Sequence, residues 1–206
     1  MIQKSYEGND GILYLIPTPI GNLDDITVRA LKILKQSDFI LCEDTRVTGL
    51  LLKKYEISKK LVRCDEYSQE KVKNVVLNAL ADKKTVGLVS DAGSPIISDP
   101  GYIVSKYVIE NGYKVVALPG ATAFVPALSV SGVSPSPFTF IGFLNAKDGK
   151  RKKELENLKL KSETLIFYES PHRLLNTLQD MLEIFGDRKI ATVSYTHLRA
   201  HETDSY

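Results

Sequence analysis

Between Ile12 and Leu118 the chain repeats one pattern, an apolar run too short for a helix followed by a segment with helical spacing. The runs are Ile12–Ile16, Phe39–Cys42, Leu61–Arg63, Val86–Ser90 and Lys114–Leu118. Runs of this length without polar alternation suit strands covered on both faces. Pro17 ends the first. The intervening helices present Ile26, Ala30, Ile33 and Leu34, then Leu50, Leu51 and Leu52, then Val72, Val75, Val76, Ala79 and Leu80. Asp24 and Asp25 are predicted to cap the first helix. A further helix from about Tyr102 stops near Gly112, where glycine serves as a C-cap. This order predicts an α/β fold, a parallel sheet with helices on both faces.

After Pro119-Gly120 the character changes. The segment 121–137 (ATAFVPALSVSGVSPSP) is rich in small residues, serine and proline, as at a domain junction. Strands are then predicted at Phe138–Phe143, Thr164–Tyr168 and Lys189–Val193, with a basic loop and helix after the first and a helix over Pro171–Phe185. The expected organisation is an N-terminal α/β domain over 11–119, an incomplete C-terminal α/β domain over 120–193, and a tail over 194–206. Three strands are too few to close the second sheet, so an unpaired edge is expected. The tail, SYTHLRAHETDSY, has neither helical nor strand period and resembles a translated sequencing-adapter fragment. It is expected not to be native sequence, with the true C-terminus lying beyond a truncation.

Composition removes whole classes. At 206 residues and 43% hydrophobic the chain can bury a core, and a net charge of +2 permits a nucleic-acid partner without requiring one. No apolar run reaches membrane-spanning length, and the opening MIQKSYEGND lacks the apolar stretch of a leader. Cys42 and Cys64 have no metal-ligand spacing, which fits a reduced, cytoplasmic protein. His197 and His201 are spaced i, i+4 but have no third ligand nearby, so no metal is expected.

Ligands of open parallel sheets bind outside the carboxyl ends of the strands. Those positions hold Thr18-Pro-Ile-Gly-Asn22, Glu43-Asp-Thr-Arg46, Asp91-Ala-Gly-Ser-Pro95 with Ser98-Asp-Pro-Gly101, and Pro119-Gly-Ala-Thr-Ala123. Taken singly, each loop is compatible with turn punctuation, and Asp24, Asp25 and Asp99 with caps or turn formers. Glu43, Asp44 and Arg46 read equally as a site or as a structural ion pair. The coincidence of these loops on one edge favours a site. No G-x-x-x-x-G-K-[ST] is present and no G-x-G-x-x-G follows a strand, which disfavours a P-loop or a Rossmann dinucleotide site. No Ser-His-Asp or cysteine–histidine constellation points to covalent chemistry.

The strings Leu15-Ile-Pro-Thr-Pro-Ile-Gly-Asn-Leu23, Asp25-Ile-Thr-Val-Arg-Ala30, Glu43-Asp-Thr-Arg46, Leu88-Val-Ser-Asp-Ala-Gly-Ser-Pro95, Ser98-Asp-Pro-Gly-Tyr102 and Phe167-Tyr-Glu-Ser-Pro-His-Arg173 resemble successive signatures of one family. It is the bacterial small-subunit (16S) ribosomal RNA ribose-2′-O-cytidine methyltransferases, a branch of the tetrapyrrole methylases, and the likeness runs from about Gly11 to Ala191. The chain departs from the family at Pro17, where alanine is common, and at Asp65-Glu-Tyr-Ser68, which replaces a Tyr-His-Glu-His run. Pro119-Gly-Ala-Thr-Ala123 stands in place of Pro-Gly-Pro-Ser-Ala, and the glutamate–leucine–threonine–lysine segment expected after Ala191 is missing.

The resemblance implies a two-domain fold with S-adenosylmethionine in the cleft between domains, usually in a homodimer. It implies that Asp91, Ala92, Gly93 and Ser94 hold the donor, with Pro19, Gly21, Thr122 and Ala123 lining the same cleft. Glu43, Asp44, Arg46 and Glu169 are the candidates on the acceptor side, with Arg173 near an RNA phosphate. The implied partner is small-subunit ribosomal RNA or the 30S particle, and no membrane. The cluster Lys147, Lys150, Arg151, Lys152 and Lys153 reads either as a phosphate-binding surface or as a solvated helix start. Alternatives to RNA methylation are methylation of a corrin or porphyrin precursor, a non-catalytic donor-binding module in ribosome assembly, and a nucleotide-binding switch.

Overall fold

Strands that run parallel must be joined by crossovers, and here each crossover is a helix. The computed structural model describes residues 10–194, which part into two compact units, one ending at Thr122 and the other spanning Ala123–Ser194. The expectations for the tail, including His197 and His201, lie outside the described residues.

The first unit contains β1 (Ile12–Leu15), α1 (Val28–Gln36), β2 (Phe39–Cys42), α2 (Thr45–Lys54), β3 (Lys60–Arg63), α3 (Gln69–Ala81), β4 (Thr85–Leu88), α4 (Tyr102–Glu110) and β5 (Lys114–Ala117). Its sheet has the order β3-β2-β4-β1-β5, and every pairing is parallel. The central strands β1, β2 and β4 are almost wholly buried, whereas the edge strands β3 and β5 are partly exposed. Their uninterrupted apolar character follows from cover on both faces. Ala30, Ile33 and Leu34 of α1 and Leu52 of α2 pack with Ile12, Tyr14, Ile16, Ile40 and Cys42. Val72, Val76 and Leu80 of α3 and Val104 and Val108 of α4 pack with Leu13, Leu41, Val86 and Leu88. The two clusters take alternate residues of the same strands, so α1 and α2 cover one face and α3 and α4 the other.

One cap differs from the sequence expectation. Thr27, not Asp24 or Asp25, caps α1, its hydroxyl accepting from the Ala30 N–H at 3.0 Å. Asp24 and Asp25 lie in a separate short 3-10 turn that Asn22 caps. The Tyr55 hydroxyl donates to the Leu23 carbonyl at 2.6 Å and ties that turn to the end of α2.

The second unit contains α5 (Phe124–Val130), β6 (Phe138–Phe143), α6 (Asp148–Leu158), β7 (Thr164–Tyr168) and α7 (Leu174–Phe185). β6 and β7 pair in parallel, with an irregularity between Phe140 and Gly142. Leu155 and Ile184 of the two longer helices pack with Leu144, Ile141 and Phe167. Phe140 stacks on Phe124 at 4.7 Å and meets Tyr168 edge-on at 5.0 Å. The predicted strand Lys189–Val193 does not form: the segment has no regular structure, and Ile190 and Val193 are exposed. Strand propensity alone cannot hold a segment extended without a neighbour to complete its hydrogen bonds.

Arg151 also departs from expectation. Its side chain is buried, donating from Nε to Asp180 Oδ2 of α7 at 2.6 Å and from an Nη to Asp148 at 2.7 Å. Asp180 is itself buried. This is an ion pair joining α6 to α7, not a phosphate-facing cation. Lys152 reaches the same helix, 2.6 Å from Glu183. Lys147, Lys150 and Lys153 remain exposed.

Candidate functional site

The ladder of the first sheet ends at one level. Ile16 N–H donates to Leu88 O at 2.9 Å, Val89 to Leu41 O at 2.9 Å, Cys64 to Cys42 O at 2.8 Å and Leu118 to Leu15 O at 2.9 Å. Beyond it the loops Pro17–Asn22, Glu43-Asp44, Asp65–Ser68, Ser90–Gly101 and Pro119–Thr122 leave from a single edge. β1 and β4 are neighbours, yet β1 continues to α1 on one face and β4 to α4 on the other. Such a divergence of connections is where open α/β sheets form their ligand crevice.

These loops are fastened to one another. Thr18 and Gly93 exchange two backbone hydrogen bonds, at 2.9 and 3.0 Å. The buried Thr18 hydroxyl donates to Ser90 O at 3.1 Å, and the Ser90 hydroxyl to Gly93 O at 3.1 Å. The Ser94 hydroxyl donates to Ala121 O at 3.0 Å and lies 2.7 Å from the Thr122 hydroxyl. Gly93 has φ +87°, which a side chain would strain. Gly120 packs so closely on Pro17 that a Cβ there would stand 2.5 Å from the proline Cβ. Ile96 and Ser98 also have positive φ, 76° and 66°. Each such residue costs about 1–3 kcal/mol and persists only where the surroundings fix it.

Pro19, Gly21, Asp91, Ala92, Gly93, Ser94 and Thr122 thus belong to loops on one edge of one unit. Ala123 opens the second unit, at the start of α5. Asp44 caps α2 through the Arg46 N–H at 2.8 Å and holds the Arg46 guanidinium by both oxygens. Those hydrogen bonds keep its carboxyl down at about 2. Arg46 itself is exposed, and a surface pair of this kind contributes little to stability. Asp91 Oδ1 accepts the Asp44 N–H at 3.1 Å, fixing the loop after β2 to the loop after β4. Glu169 lies in the second unit with both oxygens engaged: Oε1 faces the Ser170 N–H and Arg173 at 2.7 Å, and Oε2 accepts from Thr177 at 2.6 Å. Glu169 and Arg173 thereby brace the entry to α7.

The edge is acidic. Burial, then the charges of Asp91, Asp65 and Asp44, raises the Glu43 carboxyl. Burial and the Asp44 charge raise Asp91, against the Asp44 N–H and Arg46, which lower it. Asp99 is pushed up to about 6, by burial first and then by Glu43 and Asp91, against the neighbouring Ser90 hydroxyl, which lowers it. In sequence Asp99 reads either as a cap or turn former or as a ligand; its proximity to Glu43 and Asp91 arises only when β2 and β4 pair. Concentrated negative potential of this sort suits a cationic ligand.

Asp99 also predicts a pH signature. A carboxyl raised on folding binds more protons in the native state, so stability falls as pH rises from about 4 through about 6. Asp99→Asn is expected to raise the melting temperature above pH 6 and to leave it unchanged or lower near pH 4. Thermal denaturation across that range checks this; parallel curves for the two proteins would contradict it.

The family model for tetrapyrrole (corrin/porphyrin) methylases matches residues 12–197, and the chain belongs to that family. It is 51% identical over 191 residues to the Ribosomal RNA small subunit methyltransferase I of Bacillus subtilis, an alignment covering 92% of this chain and 65% of that protein. With the protein of the same name from Haemophilus influenzae it shares 44% over 193 residues, covering 94% and 68%. The chain thus spans about two thirds of the length of these relatives. Among solved structures, the native uroporphyrin III C-methyl transferase of Thermus thermophilus superposes with a TM-score of 0.62 at 19% identity, covering 87% of this chain and 78% of that one. That likeness is one of fold.

Proposed function

We propose that the protein transfers a methyl group from S-adenosylmethionine to the ribose 2′-oxygen of a cytidine in small-subunit ribosomal RNA. The observation that carries the reading is the fastened set of loops at the diverging β1–β4 edge. The names of the relatives support the choice of acceptor. S-adenosylmethionine supplies a methyl group on a positively charged sulfur, and the acidic, glycine-containing edge fits such a ligand in charge and in close backbone approach. In this reading Asp91, Ala92, Gly93 and Ser94 hold the donor with Pro19, Gly21, Thr122 and Ala123.

The contribution asked of the protein is alignment of two reactants, which can supply several kcal/mol of rate acceleration, together with removal of the hydroxyl proton. Asp44 and Arg46 form a hydrogen-bonded pair at the edge, near Asp91, and serve to orient the acceptor. The engaged oxygens of Glu169 favour a bracing role over a proton-accepting one. The protein is proposed to act in the cytoplasm as a homodimer. Full-length protein incubated with methyl-labelled donor should label small subunits at a ribose 2′-oxygen, read by mass spectrometry. Labelling of a corrin or porphyrin precursor instead would overturn the assignment of the acceptor.

The cationic surface is assigned to Lys147, Lys150 and Lys153, since Arg151 and Lys152 pair with carboxylates of α7. Replacing the three exposed lysines with glutamine should weaken RNA binding and flatten its salt dependence by about 0.7–0.9 in logarithmic slope for each phosphate no longer neutralised. Equal slopes for variant and parent would show these lysines to be solvated surface.

A further inference from the structure

The segment between Ile96 and Gly101 has an unfavourable conformation, and its far end is tied to a residue distant in sequence. Ile96, Ser98 and Gly101 all have positive φ. Gly101, at +119°, disfavours a side chain by its backbone, and a Cβ there would also press on Leu88 Cδ1 at 3.0 Å. The first turn of α4 begins here with no side-chain cap of its own. Its free N–H groups turn instead to the first residue of α3: Gln69 Oε1 accepts from Gly101 N–H at 2.8 Å and from Ile103 N–H at 3.2 Å. The Gln69 side chain is buried, at 6% exposure. A buried amide oxygen that accepts two backbone N–H groups fixes the chain on either side of them.

Asp99 lies between the strained residues and this anchor. The groups acting on its carboxyl come from the ends of neighbouring strands, Glu43 after β2, and Ser90 and Asp91 after β4. Asp44, Arg46 and Asp65 act on those neighbours in turn. Of the other carboxylates of the edge, Asp44 is held by Arg46, Asp65 by Ser68 and Arg63, and one oxygen of Asp91 by the Asp44 N–H, while Glu43 adds its charge beside Asp99.

We propose that Gln69 is a positioning residue for proton removal: by anchoring the first turn of α4 it keeps the Asp99 carboxylate against Glu43 and Asp91, where that carboxylate accepts the proton of the acceptor hydroxyl. The inference rests on the methyl-transfer reading above. As the acceptor O–H bond breaks, its proton passes to an Asp99 oxygen. The electron pair left on oxygen forms the new bond to the methyl carbon, and the sulfur–carbon pair leaves on the donor's sulfur. Asp99 then returns the proton to water. A carboxylate whose affinity for protons lies near 6 is ionised at neutral pH yet more basic than an ordinary aspartate, as a general base requires.

The test combines carboxyl carbon NMR of Asp99 with methyl transfer by the full-length protein. Gln69→Met removes the acceptor at similar volume, and Gln69→Glu keeps an oxygen able to accept the same two bonds. In Gln69→Met the Asp99 titration midpoint should fall by about one pH unit as the carboxylate gains solvent. The acid limb of the pH–rate profile should shift with it, and kcat should drop about tenfold or more with donor affinity unchanged. Gln69→Glu should restore the rate and bring the midpoint back to its original value or above it, since the added carboxylate raises a neighbouring carboxyl. Asp99→Asn should lose about 10²–10⁴-fold in kcat. A folded Gln69→Met protein with unmoved midpoint and acid limb would overturn the positioning role. Full turnover in Asp99→Asn would overturn the proton assignment, and decides the matter even if Gln69→Met fails to fold. Absence of methyl transfer by the unmutated protein is a different result, and it overturns the underlying reaction.

Discussion

Arg151→Ala is expected to destabilise the second unit by about 3–5 kcal/mol, the usual cost of leaving one member of a buried ion pair without its partner. The guanidinium is among the most buried charged groups described, and Asp180, on the facing helix, is buried with it. Removal leaves Asp180 with Lys152 at 3.6 Å, a partly exposed lysine already engaged with Glu183. The same reasoning predicts the reverse for a matched exchange. Arg151→Met combined with Asp180→Leu removes both charges at similar volume and should recover most of the loss. Urea denaturation of the single and double variants measures this directly. A single-variant loss below about 1 kcal/mol would mean that the pair behaves like a surface ion pair.

Gly120→Ala should be the most damaging single methyl group at the candidate site. Its Cβ would overlap Pro17, whose ring cannot swing aside as a flexible side chain does. Overpacking of this sort costs about 1–3 kcal/mol, and relief requires the loop after β5 to move away from the loop after β1. That movement carries with it Ala121 O and the Thr122 hydroxyl, the partners of Ser94. Donor binding should therefore weaken together with stability. Gly149→Ala, in α6, meets no atom within 4 Å and should be neutral or stabilising by up to about 1 kcal/mol. Calorimetric titration of both variants with S-adenosylhomocysteine would check the contrast; unchanged affinity in a folded Gly120→Ala protein would detach this loop from the donor.

Much of the first unit is readable along the chain because its information is local. Ile12–Leu15, Phe39–Cys42 and Val86–Val89 are free of polar side chains because both faces are covered, and the loops that follow them carry the residues a buried strand cannot. Local pattern misleads where the deciding partner is distant. Lys150–Lys153 looks like one basic run, but the helix turns Arg151 inward to Asp180, 29 residues on, and leaves Lys150 and Lys153 outside. Lys189–Val193 has the composition of a strand and no neighbour to pair with among the described residues. Asp24 and Asp25 have the chemistry of a cap, yet Thr27 stands one residue before the helix and takes the position. Asp99 and Gln69 illustrate the same limit at the site. Gln69 is ordinary in sequence and Asp99 stands in a marked loop without a marked role; each is set by neighbours met when α3, β2 and β4 come together.

Whether the methyl donor binds at the strand-end loops of the first unit can be read from amide NMR of the protein titrated with S-adenosylhomocysteine. Saturable shifts should concentrate in residues 18–22, 91–97 and 119–123, and binding should weaken in Asp91→Ala. Saturable shifts that avoid all three loops, with the affinity of Asp91→Ala unchanged, would contradict donor binding at this edge.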